Sequence, residues 1–291
     1  MTRFPIVLLI ALFSLSVMAA TSDRERFVER MVREEGFERE QVNAWLDAAR
    51  HDEAVIERIS APAEKVLEWG EYRGIFLTPE RVKQGRAFMA RHRETLARAE
   101  RRYGVPSELV TAIIGIETFY GRHAGNDRVL DALFTLGFGY PPRADFFREE
   151  LRHFLLLARD QGFDPRDPMG SYAGAMGYGQ FIASSYRHYA VDFDGDGVVD
   201  LFDSPVDAIG SVANYFHEHH WHPGAPVVMP LEQWRGPVGE TRLLRLTVEG
   251  RQQDWIAHAN FDVITRYNHS DLYAMAAWSL AQRLQEAALD E

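Results

Sequence analysis

A carboxylate closing an otherwise apolar helical run constrains this chain most. Leu109-Val110-Thr111-Ala112-Ile113-Ile114-Gly115-Ile116-Glu117 has the length and composition of a core helix, with Gly121 placed to stop it. Leu109, Ile113 and Ile116 mark an apolar stripe at helical spacing, and Glu117, four residues after Ile113, falls on its edge. Burial there disfavours the charged carboxylate, and so does the negative end of the helix dipole. Both effects raise its pKa toward the range of a general acid working near neutrality. The alternative is an ordinary ion pair, with Arg122 or Arg143 as the nearby cations.

At the N-terminus Arg3 precedes an apolar stretch over 6–15 and the small-residue pattern Val17-Met18-Ala19. Residues 1–19 are therefore expected to be a cleaved secretory signal, the alternative being an uncleaved anchor. The remaining chain, about 271 residues, is long enough for one large or two small domains. There is no cysteine, so an exported product would rely on neither disulfides nor a cysteine-linked lipid anchor. A net charge of −11 argues against nucleic acid as a partner. Much of that charge is local, in Asp192, Asp194, Asp196, Asp200, Asp203 and Asp207.

The patterning predicts a mainly α, α+β chain. Residues 20–104 are expected to form a helical domain: Ser22 and Glu25 make a capping box, Gly36 ends that segment, and Thr78-Pro79 opens a long charged helix toward Gly104. Residues 105–223 are expected to form a core containing the Glu117 helix, a helix over about 144–160, and another begun by Ser204-Pro205. Over 224–261 Pro and Gly become frequent, and Leu244, Leu246 and Val248 alternate with polar residues, which predicts a small antiparallel β domain. Ser270 then caps a final amphipathic helix within 262–291.

Asp192-Phe193-Asp194-Gly195-Asp196-Gly197-Val198-Val199-Asp200 matches an EF-hand loop, with oxygen donors at positions 1, 3 and 5 and Gly at 6. Three aspartates so crowded would repel one another without a cation, which points to calcium, the alternative being a solvated acidic turn. Position 12 is Asp203, shorter than the usual Glu, so Asp203 or Asp207 could close the site. The Gly- and Ala-rich loop over 170–180 lets a ligand approach the backbone and so could line a groove, or could be a flexible connector. It lacks the Gly-Lys-Ser/Thr of a phosphate loop and the third glycine of a dinucleotide turn, and no organic cofactor is expected. His217, His219, His220 and His222 fit no metal-site spacing. Tyr267-Asn268-His269 offers polar groups for a ligand, or turn-and-cap duty.

With these pieces in place, the chain resembles the lytic murein transglycosylase B family, enzymes that cleave the glycan strands of peptidoglycan. The matching segments are Ile113-Ile114-Gly115-Ile116-Glu117-Thr118, Tyr140-Pro141-Pro142-Arg143-Ala144, residues 170–181, 186–193 and 207–215, and Ile264-Thr265-Arg266-Tyr267-Asn268-His269-Ser270. The resemblance implies a lysozyme-like core with an embedded EF-hand calcium loop over 192–207. It also implies that Glu117 is the single catalytic acid and base. By similarity, Arg143, Ser171, Gln180, Tyr215, Tyr267, Asn268 and Tyr273 would line the saccharide groove. The implied calcium ligands are Asp192, Asp194, Asp196, the carbonyl of Val198, and Asp207 rather than Asp203. Members of the family often carry an arginine pair where this chain has Pro142-Arg143. The best-known members are lipoproteins, whereas this leader has no cysteine, so a soluble periplasmic enzyme without a lipid anchor is expected.

The implied reaction cuts between N-acetylmuramic acid and N-acetylglucosamine and leaves 1,6-anhydromuramic acid ends. Ordinary glycosidases need two carboxylates, and no second motif-embedded one is found. The rival expectations are a hydrolytic muramidase on the same fold and a non-catalytic, calcium-dependent glycan-binding protein.

Overall fold

A computed structural model describes residues 22–61, 67–236 and 241–289; the expected leader lies outside the described residues. The chain begins with α1 (Asp23–Glu35), α2 (Arg39–Ala48), α3 (Glu53–Ser60), α4 (Trp69–Phe76), α5 (Pro79–Arg91) and α6 (Arg93–Tyr103). The central helix α7 (Ser107–Thr118) follows, then strand β1 (Asp127–Arg128), α8 (Val129–Gly139), α9 (Ala144–Gln161) and β2 (Met169–Gly170). After α10 (Ala183–Tyr189) and α11 (Pro205–Glu218) come β3 (Val228–Pro230), β4 (Arg242–Val248) and β5 (Arg251–Ala257). The helices α12 (Ala259–Tyr267) and α13 (Asp271–Leu289) complete a mostly helical, lysozyme-like body.

Several boundaries follow from side-chain caps. Ser22 accepts from Glu25 N at 3.2 Å, although Glu25 then pairs with Arg39. Ser204 accepts from Asp207 N and Ser270 from Tyr273 N, opening α11 and α13. The helix expected from Pro79 to Gly104 is broken, because His92 (φ −111°, ψ 22°) leaves helical geometry and separates α5 from α6. Helix α12 begins at Ala259, inside the stretch read as β.

The core centres on α7, which packs against α5, α6, α11 and α13. Instead of one apolar stripe, every residue from 109 to 116 is buried. A helix enclosed on all sides needs apolar residues all round, and each fully buried Ile contributes about 1.5–3 kcal/mol. Thr111 is tolerated because its hydroxyl donates to Ser107 O at 2.8 Å. α13 returns to α7, α5 and α4, while α5 reaches α7, and α6 reaches α7 and α11, directly across residue 104. The small sheet, ordered β3-β5-β4 and antiparallel throughout, buries Leu244 and Leu246. The two-residue ribbon of β1 and β2 pairs Asp127 with Gly170 and Arg128 with Met169.

Helix α10 cannot cap itself, since Ile182 precedes it. Glu150 of α9, 4% exposed, accepts from Ser184 N at 2.9 Å and takes the place of a cap. Glu150→Ala should orphan that N–H and lower stability by about 1–3 kcal/mol in thermal unfolding, whereas Glu150→Gln should lose less.

Candidate active site

Helix α7 ends earlier than Gly121 would require. Phe119 (φ 51°) and Tyr120 (φ 62°) take left-handed backbone instead, a conformation costly for residues with a Cβ. Packing compensates. The Tyr120 ring folds back onto α7 at Gly115, where a Cβ would come within 2.6 Å of it, and the Tyr120 hydroxyl donates to Arg81 O at 2.8 Å. The glycine inside this helix is thus a seat for the aromatic ring that turns the chain.

This abrupt end leaves Glu117 as the first residue of its run that is only half-buried. Protein crowds the carboxyl closely while the residue keeps partial exposure, and Glu117 is not itself among the residues lining the cleft described below. Desolvation pushes the Glu117 carboxyl up to about 7, and a hydrogen bond from the Tyr273 hydroxyl to Oε1 at 2.5 Å partly opposes this. Among the described residues no other carboxylate contributes to the shift. Neither arginine considered from the sequence pairs with it: Arg122 donates to Gln84, and Arg143 lies 4.3 Å over the Phe146 ring. Tyr72, Tyr267 and Tyr273 all resist ionisation, first through burial and next through the negative charge Glu117 can carry. Tyr72 was not legible in the sequence, because α4 reaches the site through its packing on α13.

The loop over 170–181 is pinned rather than a flexible connector. Ser171 N donates to Ala175 O at 2.8 Å, and Met176 and Phe181 exchange backbone bonds. Thr118 Oγ1 lies 2.9 Å from Tyr178 O and accepts from Gly121 N, so the loop is fastened to the end of α7. Ser171 Oγ accepts from Ala173 N and Ala175 N, which leaves its own proton for another acceptor. Gln180 Nε2 lies 3.0 Å from both Ala124 O and Gly177 O.

A cleft of about 470 Å³ brings together Arg143, Gln180, Tyr215 and Tyr267. Tyr267 donates to Gly179 O at 2.7 Å and packs on Tyr215, ring centroids 4.8 Å apart, while Tyr215 donates to Arg266 O. Ser171 stands in the adjoining loop, Asn268 is exposed at the end of α12, and Tyr273 is buried against Glu117. Arg266, His219 and His269 also line this cleft: His269 belongs to the run expected to offer polar groups for a ligand, His219 to the histidine cluster that fits no metal-site spacing, and Arg266 carried no signal of its own. His217 and His219 turn to the carbonyls of Tyr103 and Tyr215.

The carboxylates of Asp192, Asp194 and Asp196 converge, with ligand-capable atoms within 4.8 Å of one another. Loop N–H groups hold them in place: Gly195 N and Gly197 N donate to Asp192, and Val198 N donates to Asp196. Asp207, 1% exposed, ties the loop by accepting from Phe193 N and Asp200 N, whereas Asp203 is exposed. Such a set of hard oxygens fits a divalent cation.

A lysozyme-like body with one desolvated carboxyl beside an aromatic cleft defines a class of enzymes that cleave glycan strands. The family profile of the transglycosylase SLT domain matches residues 19–238 and 233–282. The membrane-bound lytic murein transglycosylase B of Escherichia coli (strain K12) is 44% identical, covering 91% of this chain and 83% of its own. The Escherichia coli lytic transglycosylase Slt35 in complex with calcium superposes with a TM-score of 0.84 at 41% identity, covering 95% of this chain and 98% of that one. Pseudomonas aeruginosa SltB3, in complex with NAG-anhNAM-pentapeptide, has a TM-score of 0.79 at 30% identity, covering 90% and 78%. The chain belongs to the lytic murein transglycosylase B family and is a lytic transglycosylase of peptidoglycan.

The buried carboxyl has a consequence for stability. Its folded value, about 7, lies above the ordinary carboxyl value of 4.5, so the folded state binds the proton more tightly. The stability this confers is complete below the unfolded value and is lost as pH rises through the folded one. Glu117→Gln should therefore gain on the wild type by about 2–3 kcal/mol between pH 5 and pH 8 in urea unfolding. A pH-independent difference would show an unshifted carboxyl.

Proposed function

We propose that this enzyme cuts the β-1,4 bond between N-acetylmuramic acid and N-acetylglucosamine without water, using Glu117 as its only acid and base. The observation that carries the reading is a carboxyl pushed up to about 7 by desolvation, its hydrogen bond coming from Tyr273 and from no carboxyl among the described residues. A two-carboxylate glycosidase needs that partner. The complex of SltB3 with an anhydro-muramoyl peptide supports the same product here.

In the first half-reaction Glu117 gives its proton to the glycosidic oxygen, and the bond from that oxygen to the muramoyl C1 breaks. Tyr273 engages Oε1, so Oε2 is the oxygen free to carry the proton, and the same hydrogen bond supports the carboxylate left behind. The substrate's 2-acetamido group supports the oxocarbenium-like centre, and the unused Ser171 proton is suited to hold its carbonyl. In the second half-reaction Glu117 takes the proton of the muramoyl 6-hydroxyl, whose oxygen closes onto C1. Tyr215, Tyr267 and Gln180 face sugar rings, Arg143 offers a cation to the acidic muramoyl side, and Asn268 lies at the rim.

Asp192, Asp194 and Asp196 would hold calcium, as supported by their convergence and by the calcium complex of Slt35; the Val198 carbonyl and Asp207 are proposed from the resemblance alone, and Asp207 stands outside that cluster with both oxygens accepting backbone N–H groups. Bound there, the ion would neutralise the charge of the three aspartates in the loop that Asp207 fastens to α11. The substrate class and the leader over 1–19 support a periplasmic location. No helix among the described residues is long and apolar enough to cross a membrane.

Mass analysis of digested peptidoglycan should show 1,6-anhydromuramic acid ends; reducing muramic acid ends would overturn the non-hydrolytic reading. Glu117→Gln should lose about 10²–10⁴-fold in turnover while remaining folded. In the wild type, kcat/KM should fall as pH rises through about 7, because the free enzyme then loses the proton it must donate. A chelator should lower the melting temperature; an unchanged transition would remove the ion from the three aspartates.

A further inference from the structure

Tyr186, in the 186–193 segment that carries part of the resemblance, is 2% exposed and has no part in the chemistry above. Its hydroxyl is used twice, donating to Val199 O at 2.8 Å and accepting from Leu201 N at 2.8 Å. Residues 199–201 belong to no helix or strand, so no backbone ladder holds them. Side chains hold them instead: Tyr186 from α10, Gln161 of α9 through Val199 N, and Asp207 of α11 through Asp200 N. Gln161 and Asp207 each hold one N–H of the stretch, whereas the tyrosine hydroxyl spans it and orients the peptide group on either side of Asp200.

What this stretch presents is the Leu201 carbonyl, which accepts from Tyr178 N at 3.0 Å. The approach is close enough to require glycine at 177, where the backbone is left-handed (φ 67°) and a Cβ would come within 2.1 Å of Leu201 O. Tyr178 is gripped on its other sides by the end of α7: its carbonyl lies 2.9 Å from Thr118 Oγ1, and its ring covers Gly121, where a Cβ would meet it at 2.1 Å. Gly177 O also accepts from Gln180 N at 3.1 Å and lies 3.0 Å from Gln180 Nε2. A continuous set of hydrogen bonds therefore runs from Tyr186 through Leu201 and Tyr178 to the loop that bears Ser171 and Gln180, and to the residue after Glu117.

We propose that Tyr186 is a positioning residue for glycan cleavage, setting through Leu201 where the 170–181 loop stands relative to Glu117. The inference rests on the proposed contact of Ser171 with the sugar. Tyr186→Phe keeps the ring and its packing on Phe202, centroids 6.0 Å apart, and removes only the hydroxyl. Val199 O and Leu201 N then lose that partner in a buried setting, and the stretch shifts toward water to satisfy them. The Leu201 carbonyl moves with it, and a loop displaced by a fraction of an ångström no longer meets the transition state in the same geometry.

The test measures turnover of purified peptidoglycan and backbone amide exchange for the wild type and for Tyr186→Phe. In the variant, kcat per folded molecule should fall about tenfold with a smaller change in KM, and the Tyr178 amide proton should exchange about tenfold faster. A hydroxyl that only stabilised the core would lower the melting temperature and leave kcat alone; that outcome, or an unchanged Tyr178 amide, overturns the proposal. On a Ser171→Ala background Tyr186→Phe should cost about threefold or less in kcat, because part of what it displaces is already absent; the full loss there would also overturn it. Failure of the sugar-contact reading appears separately, as a Ser171→Ala enzyme with wild-type kcat, and the Tyr178 exchange rate then decides alone.

Discussion

The hydrogen bond between Tyr273 and Glu117 sits where two demands conflict. Desolvation favours the neutral acid, which the proposed mechanism needs as a proton donor, and the tyrosine favours the anion, which it needs as an acceptor. A carboxyl with either influence alone would suit one half of the reaction and hinder the other. Held between them near neutrality, it can serve in both directions. That balance requires α13 to return across α7, so the last helix of the chain belongs to the site as much as the helix that bears the acid.

The surroundings are organised to keep this balance fixed. Left-handed Phe119 and Tyr120 end α7 one residue after Thr118, and the strain is offset by Tyr120 packing on Gly115 and Gly85. Thr118 fastens the glycine-rich loop to the same point, and Tyr267 fastens it from the opposite side through Gly179. At Gly179 a Cβ would come within 2.8 Å of the Tyr267 hydroxyl, so the glycine is there to admit the tyrosine. The loop's small residues therefore serve close backbone approach and not mobility.

Much of this could be read from the sequence where the signal is local. The caps at Ser22 and Ser204, the alternation at Leu244 and Leu246, the aspartate spacing of the acidic loop and the apolar run before Glu117 each depend on neighbours a few residues away. What escaped depends on distant contacts. Tyr72 joins the site only because α4 packs on α13, and α7 proves apolar all round because helices from both ends of the chain enclose it. The stop at Phe119 escaped for another reason: glycine is the usual signal for left-handed backbone, and here aromatic packing substitutes for it. The break at His92 has no proline or glycine to announce it, and α12 was hidden behind the Pro- and Gly-rich stretch that precedes it.

The chain's acidity looks unsuited to an anionic wall polymer, but net charge acts poorly through salt. At physiological ionic strength fields decay over about 8 Å, so the charges lining a cleft matter more than the total. The groove that joins Gln180, Tyr215 and Tyr267 is lined by Arg143 and Arg266 and by no carboxylate. Three of the clustered aspartates converge on one another in the 192–207 loop, where a divalent cation would cancel most of their charge. The field inside this groove is therefore set by two arginines on an aromatic wall, and the excess negative charge elsewhere is left to keep the protein dispersed.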